Sequence, residues 1–188
     1  MKHGQKLTAL LVIPFTFGAV YTATAELKSP YAGQETRAIK SLSAEDLAEL
    51  RRGGGWGLAK AAELNGMPGP AHVLELKDEI GLSAEQTAAV KALFAEMQAA
   101  AIEAGERLIA FEEDLETGFR EHTITQEALR KKLAQISDTR GALRFIHLNT
   151  HLKTLPLLTQ HQVAMYNRLR GYDSDAVGHG GHTMQHGN

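Results

Sequence analysis

The sequence predicts an all-α protein built on a long antiparallel helical hairpin with short flanking helices. Three observations carry that prediction. Apolar residues recur at alternating spacings of four and three from Val90 to Leu115, the period of one helical face. No proline interrupts the chain between Ala71 and Leu155. No segment alternates apolar and polar residues at the period of two that a half-buried strand requires.

The chain of 188 residues opens with Lys2, His3 and Lys6, an uncharged apolar stretch from Leu7 to Tyr21, and then Ala23-Thr24-Ala25. A positive start, a short apolar run and small residues at alternate positions mark a secretory signal peptide. The run of 15 residues carries Pro14 and Gly18, and a spanning helix needs roughly 20 apolar residues. Residues 1–25 are therefore read as a signal peptide, with export and cleavage after Ala25. Lys2 and Lys6 leave with it, so 20 basic side chains become 18 against 22 acidic, a net charge of −4. That balance argues against a dedicated nucleic-acid surface. Cysteine is absent, which excludes disulfides, thiol catalysis and thiolate metal sites.

Residues 26–69 read as irregular chain with short helices. Ser43-Ala44-Glu45-Asp46 is an N-cap with acids in the first turn; the helix it opens, through Leu47 and Leu50, stops at Gly53-Gly54-Gly55. A second piece, Leu58 to Leu64, ends at Asn65-Gly66. Residues 70–172 read as the helical-hairpin domain. Pro70 starts a helix over about 71–80, closed by Gly81. Ser83-Ala84-Glu85-Gln86 is a capping box. It opens one long helix to about Glu121, with Val90, Phe94, Met97, Ala101, Ala104, Leu108, Phe111 and Leu115 as its seam and Gly105 and Gly118 as points of bending. Thr123-Ile124-Thr125 turns the chain. The return helix carries Leu129, Leu133, Ile136, Leu143 and Ile146 until Pro156 ends it. A second capping box, Thr159-Gln160-His161-Gln162, begins a last helix to Gly171. Residues 173–188 are rich in Gly and His with nothing to bury, the composition of a disordered tail.

The candidate chemistry lies in the nine histidines. His147 and His151 stand four apart on a predicted helix, so both imidazoles project from one face. That spacing allows two neutral nitrogens to grip one ion. Leu148 follows His147, so the general-base Glu of the HExxH pattern is missing. Folding the hairpin about Thr123 puts His147 near Ala99 and Ala100, and His151 near Ala95 and Glu96. Glu96 or Met97 would then complete a coordination shell. His72, with Glu75 beside it, joins the set if its helix packs back across the His147 face; Glu63 is a weaker candidate of the same kind. In the tail, His179, His182, Met184 and His186 gather three imidazoles and a thioether on Gly-spaced chain, a donor set suited to copper, nickel or zinc. The bases of the return helix (Arg130, Lys131, Lys132, Arg140, Arg144) face the acids Glu112, Glu113, Asp114 and Glu116, as in a solvated helix pair or a client-holding surface. No nucleophile, base and orienting group stand in a recognisable arrangement, so no enzyme is predicted.

Leu82-Ser83-Ala84-Glu85-Gln86 and Leu158-Thr159-Gln160-His161-Gln162 resemble the twin LTxxQ motifs of a family of periplasmic envelope proteins, the Spy/CpxP-like stress chaperones and heavy-metal sensors. The first copy carries Ser for Thr. The resemblance spans about Pro70 to Gly171 and is nearer to the sensor branch, where a helical His-x-x-x-Met before the last motif supplies ligands. Here the matching stretch has His147 and, in place of Met, His151. His72 falls near one of that branch's first-helix histidines, Leu76 stands where the other is expected, and the long-helix Glu aligns with Phe94, leaving Glu96 as the substitute. The resemblance implies a periplasmic homodimer that binds a divalent transition metal (Ni, Cu, Zn or Co) in sensing or resistance, with a membrane-bound anti-sigma factor or sensor kinase as partner. Its other branch implies an ATP-independent chaperone for unfolded envelope proteins.

Overall fold

The structure is a computed structural model that describes residues 28–172. The signal-peptide and tail readings, including His179, His182, Met184 and His186, lie outside the described residues. The chain divides into two units between Gly33 and Gln34. In the first, residues 29–32 close a turn, the Ala32 amide donating to the Ser29 carbonyl at 3.0 Å.

The second unit is helical, and no strand occurs among the described residues. Its elements are α1 (Ala44–Arg51), α2 (Lys60–Glu63), α3 (Pro70–Glu75), α4 (Ala84–Arg120), α5 (Gln126–Thr154), a short 3-10 turn (Leu155–Leu157) and α6 (Gln160–Leu169). α3 is shorter than expected, because the chain leaves helical geometry at Leu76 and reaches Gly81 through turns. Three helices begin at reciprocal capping boxes. In each, the Ser43, Ser83 or Thr159 side chain accepts from an amide three residues on, while Asp46, Gln86 or Gln162 accepts from the cap's own amide.

α4 and α5 pack together along their length. Lys132 pairs with Asp114, and Lys153 with Glu96 at 3.3 Å, so the contacts move up one helix as they move down the other: the pair is antiparallel. With 37 residues α4 extends about 55 Å. Gly105 serves a close approach within it. A Cβ there would stand 2.6 Å from the Leu50 carbonyl oxygen, so glycine lets the end of α1 settle on α4.

The inward face of α5 differs from the aliphatic seam read in the sequence. Ile136 and Leu143 are buried and Ile146 packs half-buried against the same core, but Leu133 is exposed, and the other buried positions belong to Thr139, His147, Thr150, His151 and Thr154. The threonines satisfy themselves by donating to carbonyls four residues back, at 2.7–2.8 Å. Acids of α4 also serve the N-terminal segment: Glu116 pairs with Lys40 at 2.8 Å, and Glu112 accepts from the Ser41 hydroxyl at 2.9 Å.

Two apolar clusters result. One joins Ile39, Leu42 and Leu50 to Ala101, Ala104, Leu108, Ile136 and Leu143. The other joins Val73 and Ile80 to Val90 and Tyr166. Along α4 the residues between Val90 and Ala101 belong to neither cluster, and the histidines of α5 face that gap. No helix among the described residues is long and apolar enough to cross a membrane.

Candidate metal centre

The gap holds a cavity of about 470 Å³. Phe94, Met97 and Gln98 of α4 form one wall, and His147 and His151 of α5 another. Glu63 of α2, Gly69 and His72 at the start of α3, and the glycine-rich segment 53–57 complete it. Trp56 secures that segment. Its indole N–H donates to Asp46 Oδ1 at 2.7 Å, and the Arg140 guanidinium lies 4.5 Å from the ring centre.

His147 is 3% exposed, and its Nε2 is buried with no hydrogen-bond partner. Burial, and next the neighbouring His151, hold its pKa below the ordinary 6.5, against weaker pulls from Glu49 and the Gly54 backbone. The ring is therefore neutral at pH 7, and an unpartnered buried imidazole nitrogen is a polar atom left unspent.

His151 is held from two sides. Its Nδ1 lies 2.7 Å from the Met67 carbonyl oxygen. A carbonyl only accepts, so Nδ1 carries a proton, and Nε2 is the nitrogen that can offer a lone pair to an ion. Gly69 lies directly against the ring, where a Cβ would lie 2.6 Å from Cε1 and 2.7 Å from Nε2. The backbone at Gly69 is ordinary (φ −93, ψ 152), so glycine is required by the ring and not by the chain's conformation.

His72 lines the same cavity, its Nδ1 2.8 Å from Glu75 Oε2. With Nδ1 turned to Glu75, Nε2 is the nitrogen of this ring that could reach an ion. α3 packs against α5, which puts His72 on the same cavity as the pair. Met97 is buried in the wall. Glu96 does not line the cavity; it lies on the surface against Lys153, its side chain 71% exposed. Three imidazoles thus line one cavity, and imidazole is a ligand suited to nickel, copper or zinc. Among the described residues, no three His, Asp or Glu side chains are gathered closely enough to hold an ion together.

Several parts of the site had little signal in the sequence. The Met67 carbonyl has none, being a backbone atom. Gly69 reads as punctuation between Pro68 and Pro70, although its place before the helix bearing His72 was visible. Comparison of the chain with family models, with curated proteins and with solved structures found no match.

Proposed function

We propose that this chain is an exported, non-enzymatic protein of the Spy/CpxP-like kind, acting in heavy-metal sensing or resistance. It binds a divalent transition metal through His147 and His151, with His72 on the same cavity and the tail as a second donor set. The observation that carries this reading is the pair of α5 imidazoles. One has a buried nitrogen with no partner, and the other is fixed in the tautomer that leaves Nε2 available. A bound ion would supply a positive centre satisfying both nitrogens, and the residues around them keep the rings oriented and largely buried. The partner that fits a sensor is a second copy of the chain, together with a membrane-bound anti-sigma factor or sensor kinase.

The test is calorimetric titration of nickel, copper, zinc and cobalt salts into the full chain, with His179, His182, Met184 and His186 all replaced by Ala. The expected result is saturable binding with defined stoichiometry, lost when His147→Ala and His151→Ala are added. Undiminished affinity in that variant sinks the reading.

A second reading, an ATP-independent envelope chaperone, draws on the outward face of α5. Phe145 is 65% exposed and Leu152 57%, seven residues apart on the side turned from α4. Such a face would hold unfolded clients. Suppression of client aggregation should then survive the histidine substitutions and fall with Phe145→Ser and Leu152→Ser.

A further inference from the structure

We infer that Glu63 is a positioning residue for His151, holding the ring that the proposed function makes a ligand. The inference rests on that reading for its consequence, and on separate contacts for its geometry. Glu63 is on α2, a helix of four residues, yet its carboxylate is only 13% exposed. A carboxylate is buried at a cost unless it is paired. One oxygen is well supplied: Oε1 accepts from the Tyr166 hydroxyl at 2.6 Å and the Tyr172 hydroxyl at 3.2 Å, with Arg170 Nε at 3.3 Å. The other, Oε2, is buried without a hydrogen-bond partner and stands 4.0 Å from His151 Nδ1.

The two tyrosine hydroxyls and the Arg170 guanidinium explain why the carboxylate is tolerated, but all three reach Oε1, and Oε2 is left facing the imidazole. A negative charge behind the Nδ1–H edge does what a tie does not. With the Met67 carbonyl it holds the proton on Nδ1, and it makes the far nitrogen a better donor to a cation. Histidine ligands backed by a carboxylate or carbonyl behave in this way, and removing the backing group costs about 10- to 100-fold in metal affinity.

The experiment uses the full chain with the tail ligands replaced as above, and nickel or zinc chloride as the probe. Glu63→Gln keeps the size and the Oε1 acceptor but removes the charge; Tyr172→Phe removes a tie and keeps the charge. The expected result is a 10- to 100-fold loss of affinity in Glu63→Gln, with Tyr172→Phe within twofold of the parent, each measured where circular dichroism shows it folded. Affinity within twofold in folded Glu63→Gln overturns the inference while leaving the metal reading intact. Should Glu63→Gln not fold, Glu63→Asp withdraws the charge by one methylene; unchanged affinity there overturns the inference equally. If the parent binds neither ion, the metal reading fails, and nitrogen NMR of the His151 ring decides the positioning role. A smaller share of the Nδ1–H tautomer in the Gln or Asp variant sustains it, and an unchanged share overturns it.

Discussion

His147 carries a prediction about pH that needs no ligand. Its folded pKa lies below 6.5, chiefly because burial penalises the imidazolium. Above about pH 6.5 the ring is neutral whether the chain is folded or not, and this group leaves stability level. Below it the unfolded chain takes up a proton that the folded one resists, so stability is lost as pH falls from 6.5 toward the folded value. The slope is at most about 1.4 kcal/mol per pH unit for one proton. Urea midpoints from pH 7.5 to 5.5 should fall in the parent and fall less in His147→Gln; parallel curves would contradict the assignment. Gly69 carries a steric prediction. Gly69→Ala drives a methyl into the His151 ring, which should destabilise the domain by about 1–3 kcal/mol and weaken metal binding. Gly55, in the same cavity wall, has nothing within 4 Å of a built Cβ, so Gly55→Ala is the matched control and should leave the binding isotherm unchanged.

The helix starts are joined by the two glutamines that close their own capping boxes. Gln86 and Gln162 pair amide to amide, each Nε2 donating to the other's Oε1 at 2.9 Å. Gln86 also donates to the Leu157 carbonyl at 2.8 Å, and Gln162 to the Gly81 carbonyl at 3.0 Å. Each glutamine therefore caps its own helix and satisfies the turn before the other. Gln162→Ala leaves the Gly81 carbonyl and the Gln86 amide short of partners, a cost of about 1–3 kcal/mol that thermal melting would register. Gln162→Glu should also destabilise, because a carboxylate cannot donate to Gly81. The capping boxes were legible in the sequence because they are local, written within four consecutive residues. Their pairing was not, since nothing local says that two caps far apart in the chain meet. The same boundary runs through α5 and the site. The His147–His151 spacing was visible as helical periodicity, whereas the inward turn of Thr139, Thr150 and Thr154 was hidden, because their hydroxyls are satisfied only once the helix exists. Ile39 and Leu42 lie in chain without period, which carries no signal of burial, yet both are buried in the core. Glu63 and Gly69 act through space, so spacing alone left the first a weak candidate and the second mere punctuation.

The two donor sets respond differently to unfolding of the whole molecule. The cavity exists only when α2, α3, α4 and α5 are packed together, because His72 and His151 reach it from separate helices. His179, His182, Met184 and His186 fall within eight consecutive residues, so unfolding the domain does not pull them apart. An ion held by that run binds folded and unfolded chain alike and adds nothing to stability, whereas an ion held in the cavity binds only the folded state. At a free concentration about 100 times the cavity's Kd, the folded state gains about 2.7 kcal/mol, on the order of 5–10 °C in Tm for a domain of this size. Nickel or zinc should therefore raise the Tm of the full chain, and equally with all four tail ligands replaced. The rise should vanish in His147→Ala with His151→Ala while calorimetry on that variant still records heat from the tail. A Tm that follows the tail substitutions and ignores the helical pair would move the metal chemistry out of the cavity, leaving α4 and α5 as a scaffold.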